Sequence, residues 1–182
     1  VRELLAEWKS RYGVDPERTI GVCYRGTDKQ TEIRLAQPHQ YLRLAQQLLD
    51  QHPGCRVWIQ TDQAQVRDLF CRELGDRCWF LSEMPVTHGA QTLAKLPVAE
   101  RGVSSYEFGL RILVTTVLLS ECRWLINHTG NMGLWIALYR GHWERAWQFG
   151  ATGRLVTEFR RTWSRRRRRL VDEVRSWKKL LS

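Results

Sequence analysis

The sequence predicts an α/β fold, a Rossmann-like parallel sheet with helices on both faces, from two observations. Four short apolar runs have the length of strands: residues 19–26, 55–62, 78–81 and 124–128. Between and after them lie four segments with helical apolar spacing: residues 38–54, 63–75, 103–122 and 132–141. Strands that alternate with helices of this length predict right-handed crossovers and therefore parallel neighbours. With 182 residues, 43% of them hydrophobic, the chain can bury one good core but hardly two full domains.

Start and stop signals support the individual elements. The run 19–26, TIGVCYRG, reads as the first strand. Pro38 opens the first helix, and Pro53 followed by Gly54 ends it. Asp62 closes the second strand, where we expect its side chain to cap the next helix. These signals predict one Rossmann-like domain over residues 1–150.

Polar residues follow three of the predicted strands. They are Arg25–Lys29, the pair Thr61 and Asp62, and the segment 128–131. The carboxyl ends of parallel strands meet at one edge, which is where open α/β sheets bind ligands. A turn at Gly130 and Asn131 that enters a helix presents free N–H groups, which suit a phosphate. Taken singly, each segment is also ordinary turn chemistry or helix capping.

The net charge of +10 is concentrated in the C-terminal tail, residues 151–182. This tail has eleven Arg and Lys residues against three acids, and five of the arginines are consecutive at 165–169. Such a run attracts nucleic acid or an anionic membrane. It is also typical of the solvated face of a helix, which is the interpretation we favour, so we predict a basic helical tail and leave the polyanion interpretation open.

The remaining chemically notable residues are expected to be structural. The cysteines are odd in number, lack CxxC spacing and read as reduced core residues: Cys23, Cys55, Cys71, Cys78 and Cys122. Four tryptophans within apolar elements are expected to be buried: Trp58, Trp79, Trp124 and Trp135. His88 has no second ligand at metal spacing, so no metal is predicted. No apolar run spans a bilayer and the amino terminus is not signal-like, so the sequence favours a cytoplasmic protein or leaves its location open.

Several motifs occur in an order that resembles a known family. They are Arg25-x-Thr27-Asp28-Lys29 with Glu32, then Pro38 and Tyr41, Thr61-Asp62, Leu119-Ser120, and Leu125-Ile126 before a small polar turn. Over about residues 18–141 the chain resembles the GDP-fucose-dependent fucosyltransferases related to the rhizobial nodulation and eukaryotic core α1,6-fucosyltransferases. In that family this region is the C-terminal, donor-binding half of a two-domain GT-B glycosyltransferase.

The resemblance implies a metal-independent, inverting transfer of fucose from GDP-fucose, with no cofactor. Arg25 would hold the β-phosphate, because the departing phosphate gains negative charge. Glu32, through Lys29, would receive the proton of the acceptor hydroxyl, carried by a glycan or a protein. Asp28 would orient the loop. The implied nucleotide-sugar-binding set is Arg25, Thr27, Asp28, Thr61, Asp62, His128, Gly130 and Asn131.

The chain departs from the family pattern at several positions. Cys23 and Gly26 stand where the family has a histidine and a second arginine. Thr115 aligns with an acidic residue that reads the base, and a hydroxyl cannot accept paired N–H groups as a carboxylate does. A different nucleotide or sugar therefore stays open. Only about twenty residues precede the predicted sheet, so we expect either a fragment or short form of the enzyme that lacks the acceptor domain, or an acceptor site supplied by a partner or a dimer.

Two functions of other classes stay open beside the transferase. One is a non-catalytic nucleotide-binding module, which needs the same strand-end site but no base. The other is a basic nucleic-acid-binding protein that acts through the arginine-rich tail.

Overall fold

The computed structural model describes residues 1–27, 35–89, 91–150 and 155–156. The strands are β1 (Thr19–Tyr24), β2 (Arg56–Thr61), β3 (Cys78–Trp79), β4 (Trp124–His128), β5 (Ala146–Phe149) and β6 (Leu155–Val156). The helices are α1 (Arg2–Arg11), α2 (Pro38–Gln51), α3 (Ala64–Leu74), α4 (Val98–Arg101), α5 (Ser105–Glu121) and α6 (Asn131–Arg140).

The strands form one sheet in the order β3-β2-β1-β4-β5-β6. The first five strands of this order pair in parallel, and β6 pairs antiparallel with β5. All six residues of β1 and all five of β4 are buried, as expected for central strands that are covered on both faces. The predicted parallel α/β sheet is therefore confirmed.

Helices cover both faces of the sheet, and each face has its own core. On one face, α2 and α3 pack against alternate residues of the central strands, including Ile20 and Ile126. On the other face, α1, α5 and α6 pack against the residues between them, including Cys23 and Leu125. This alternation is the period of two expected of a pleated strand. It fixes which side chains at the strand ends face which helices.

The sequence located most of these elements to within two or three residues, but not all of them. Neither β5 nor α1 was predicted, and β6 lies within the range assigned to the basic tail. The expected cap at Asp62 was wrong, since α3 has Gln63 at its N-cap position and no side-chain cap. Asp62 bonds instead to the turn that follows β1.

Gly133 explains how α6 starts so close to the sheet. A Cβ atom at this position would lie 2.4 Å from the backbone oxygen of His128, far inside contact distance. Glycine therefore lets the first turn of α6 lie directly on the end of β4. The N-terminus of α6 is thereby brought to the edge of the sheet where β1 ends.

Part of the predicted site lies outside the described residues. Asp28, Lys29 and Glu32 fall in the segment 28–34, and the tail is described only at Leu155–Val156. Within the described ranges, no helix has both the length and the apolar character needed to cross a bilayer.

Candidate functional site

A cavity of about 340 Å³ lies where β1 and β2 end, beside α5 and α6. In the sheet, β2 and β3 lie on one side of β1, and the later strands β4 and β5 lie on its other side. The strand order therefore reverses at β1, next to this cavity. The lining divides into two parts. The polar wall consists of Arg25, Thr27, Thr61 and Asp62, and the apolar wall consists of Met84, Leu93, Phe108, Ile112, Met132 and Trp135. The remaining lining residues are Cys23, Tyr24, Gln60, Thr92, Thr116 and Asn131.

Asp62 is the centre of the polar wall. Its Oδ1 accepts a hydrogen bond from the backbone N–H of Gly26 (2.9 Å), and its Oδ2 accepts one from the hydroxyl of Thr27 (2.6 Å). Arg25 Nε lies 3.8 Å from Oδ2. The carboxyl group is buried, so these contacts hold a group that would be costly to bury alone. Asp62 thus fixes the turn after β1 to the end of β2.

A second set of contacts ties the loop after β3 to the same place. The backbone oxygen of Asp62 accepts a hydrogen bond from Thr87 N (2.9 Å), and Thr87 O accepts one from Ala64 N (2.9 Å). The side chain of Gln63 donates to Gly89 O (2.9 Å). The three segments that surround the polar wall are therefore held together by hydrogen bonds.

Gly26 has a steric reason to be glycine. A Cβ atom here would lie 2.0 Å from Gln63 Oε1 and 2.7 Å from a ring carbon of Tyr24. The Gln63 side chain therefore fills the space into which a side chain at position 26 would project.

Arg25 is the cation of the cavity among the residues that the structure describes. One third of its side-chain surface is exposed, and Arg25 lines the cavity. Burial raises the pKa of the Cys23 thiol and of the Tyr24 phenol to about 12, so both are neutral at pH 7. Cys23 is accordingly a poor nucleophile, since the thiolate is the reactive form. The lining therefore contains an arginine that can bind an anion, and its thiol is unreactive.

The apolar wall contains one large exposed side chain. Trp135, on the second turn of α6, is 52% exposed. Its expected burial was therefore wrong, whereas Trp58, Trp79 and Trp124 are buried as predicted. The three buried rings lie on sheet strands, and Trp135 is on a helix that is apolar on most sides. Trp135 forms part of the rim of the cavity.

The structure brings five of the predicted site residues together at this cavity. They are Arg25, Thr27, Thr61, Asp62 and Asn131. Gly130 is the N-cap residue of α6 and is not among the lining residues. The strand alternation places the His128 side chain on the α2 side of the sheet, away from α5 and α6. It is buried there, and its Nδ1 donates to the backbone oxygen of Thr129 (2.8 Å). Thr115 is fully buried in α5, and its neighbour Thr116 faces the cavity instead.

The residues that sequence reasoning missed are those of the apolar wall. They come from α5, α6 and the loop after β3, and most of them read as ordinary core residues in the sequence. Asn131 was the one available signal, because a residue four positions later on a helix lies on the same face. That spacing could have placed Trp135 next to the predicted phosphate turn, but Trp135 was predicted to be buried.

The likeness to known proteins is structural. No protein-family model matches the chain. No curated protein matches its sequence. Among solved structures, the chain is similar to the crystal structure of NodZ alpha-1,6-fucosyltransferase co-crystallized with GDP, with 21% identity and a TM-score of 0.53. The match covers 85% of this chain and 45% of that chain, so this chain spans less than half the length of its structural neighbour. The described part of the chain thus has a glycosyltransferase-like α/β fold.

Proposed function

We propose that this chain is the donor-binding half of a GT-B glycosyltransferase. It binds a nucleotide sugar, expected to be GDP-fucose, and contributes to metal-independent, inverting transfer of the sugar to a hydroxyl of a glycan or protein. The observation that carries the proposal is the cavity at the reversal of strand order, with Arg25 and the first residue of α6 in its lining. The likeness to a fucosyltransferase crystallised with GDP supports it.

The chemistry of the proposed reaction fits the lining. Cleavage of a nucleotide sugar leaves negative charge on the departing diphosphate, so fixed cations and N–H donors nearby lower the barrier. Arg25 supplies the cation. The first turn of α6, which begins at Asn131 after the N-cap residue Gly130, is proposed to supply the N–H donors and the positive end of the helix dipole. Asp62 holds the Arg25 turn in place rather than reacting itself.

The proposed proton acceptor follows the same strand end in the sequence. Glu32 receives the proton of the acceptor hydroxyl, through Lys29, and Asp28 orients the turn. These three roles rest on the sequence resemblance, because the residues lie outside the described ranges. Acceptor binding is assigned to a second domain or partner, since the chain matches 45% of its neighbour's length and the resembled family has two domains.

Substitution of Arg25 tests the proposal directly. Arg25→Ala should weaken GDP binding by about 1.5–3 kcal/mol, or roughly 10- to 150-fold, because it removes a charge-assisted hydrogen bond to phosphate. Isothermal titration calorimetry measures the difference. Arg72→Ala is the matched control, since Arg72 is an exposed arginine on α3 that does not line the cavity.

The outcomes separate the candidate functions. Equal GDP affinity in Arg25→Ala and the parent protein would contradict the proposal. GDP binding that depends on Arg25 but is never accompanied by transfer, even with the acceptor-binding partner present, would favour the non-catalytic nucleotide-binding module.

A further inference from the structure

The two walls of the cavity differ in the ligand chemistry that they suit. The polar wall offers an arginine beside a fixed turn, which suits an anionic group. The apolar wall offers two aromatic rings, Phe108 and Trp135, together with aliphatic and thioether side chains. A ligand that satisfies both walls has an anionic end and a flat, weakly polar end. A nucleoside diphosphate has this composition, with the base as its flat part.

Trp135 is placed to contact the flat part of such a ligand. Asn131 and Trp135 are four residues apart on α6, so they lie on one helix face about one turn apart. Both line the cavity. A phosphate held at the start of α6 and by Arg25 therefore leaves the rest of the nucleotide within reach of the half-exposed indole ring. A stacked base would cover apolar surface that is otherwise in water.

The same region offers little that distinguishes one base from another. Strong discrimination requires buried polar groups that are committed to one pattern of donors and acceptors. Among the described lining residues, the ionisable side chains are those of Cys23, Tyr24, Arg25 and Asp62, which lie at the ends of β1 and β2 and not on α5 or α6. Thr92 and Thr116 border the apolar wall, and the Thr116 hydroxyl already donates to Ile112 O (2.7 Å). Gln60 and Asn131 each carry both a donor and an acceptor, so they can pair with any base.

We propose that the base of the donor nucleotide stacks on Trp135, and that this wall accepts purine and pyrimidine bases with similar affinity. The inference rests on the proposed function, because it assumes that a nucleotide occupies the cavity. Affinity for the base comes from stacking and apolar contact, and orientation of the ligand comes from its phosphates on the polar wall.

Calorimetric titration of the full chain with GDP, ADP, UDP, CDP and inorganic pyrophosphate tests the inference. The four nucleotides should bind with dissociation constants within about tenfold of one another, since stacking is tolerant of base identity. Trp135→Ala should weaken all four by about tenfold or more and leave pyrophosphate binding unchanged. Trp135→Phe should restore most of the nucleotide affinity. Leu134→Ala is the matched control, because Leu134 is an exposed apolar residue of α6 that does not line the cavity.

Each contrary result overturns a defined part of the argument. One nucleotide that binds more than about a hundredfold tighter than the rest would overturn base tolerance and leave the proposed function standing. Equal weakening of pyrophosphate and nucleotides by Trp135→Ala, in a protein with parental circular dichroism and melting temperature, would assign Trp135 to the site's structure rather than to the base. Absence of binding by any nucleotide, with or without the substitution, would overturn the proposed function together with this inference.

Discussion

The two walls of the cavity differ in the burial and hydrogen bonding of their side chains. In the polar wall, the Asp62 carboxylate is buried and bonded to the Gly26 backbone and the Thr27 hydroxyl, 36 and 35 residues away in sequence. In the apolar wall, Trp135 leaves half of its surface in water. Bonds within the protein fix the shape of the first wall, whereas the second has surface left for a ligand. Substitution of the buried Asp62 should therefore cost stability, whereas substitution of Arg25 or of the apolar rim should cost ligand affinity.

The contrast extends to how each wall is built. The polar wall joins turns that follow β1 and β2 with the loop after β3, and hydrogen bonds hold all three together. The apolar wall is carried by two packed helices and by the loop residues Met84 and Leu93. Hydrogen bonds specify direction, and apolar packing does not, so the first wall can set a reacting geometry while the second tolerates different ligand surfaces.

The largest effect is expected at Glu32, which follows Arg25 and Thr27 in sequence and is proposed to act only in the chemical step. Glu32→Gln should lower transfer by about 10²–10⁴-fold and leave GDP affinity within about twofold. Rates of sugar transfer in the presence of the acceptor-binding partner, together with calorimetry, measure the two quantities. Glu17→Gln is the control, because Glu17 is an exposed acid before β1, at the opposite end of the strand. An unchanged transfer rate in Glu32→Gln would assign the proton to another group.

A smaller but still substantial effect is expected on folding when Asp62 is removed. Asp62→Ala should lower the free energy of unfolding by about 2–4 kcal/mol, because the Gly26 N–H and the Thr27 hydroxyl lose their buried acceptor. Urea denaturation followed by circular dichroism measures the loss. Asp68→Ala should change it by less than about 0.5 kcal/mol, since Asp68 is an exposed partner in a surface ion pair on α3. Similar losses of unfolding free energy in Asp62→Ala and Asp68→Ala would show that the Asp62 hydrogen bonds do not stabilise the polar wall.

The smallest effect is expected for Gly26→Ala, which tests whether the Gln63 side chain occupies the space next to Gly26. Gly26→Ala should lower the free energy of unfolding by about 1–3 kcal/mol, because the added Cβ overlaps the Gln63 amide. Gln63→Ala in the same chain should recover part of that loss, with the remainder due to the nearby Tyr24 ring. A double-mutant cycle by urea denaturation measures the coupling. Strictly additive effects of the two substitutions would mean that the side chains do not compete for this space.

The sequence alone determined the fold class and one wall of the site. Buried strands such as 124–128 and the signals at Pro38 and Pro53 are local, so periodicity and turn chemistry identify them. Arg25, Thr61 and Asp62 could be placed together because parallel strands bring their carboxyl ends to one edge. β5 escaped prediction because its four residues, AWQF, mix polar and apolar side chains in a run too short to show a period.

Tertiary structure decided the remaining features, since they depend on contacts between distant residues. Asp62 looks like a helix cap in the sequence, but the Gly26 N–H is within its reach only after β1 and β2 pair. Trp135 lies in a helix that is apolar on most sides, so its periodicity cannot select the buried face. Packing of α6 on β4 made that choice: Gly133 and Ile136 are buried, and Trp135 is left at the rim of the cavity.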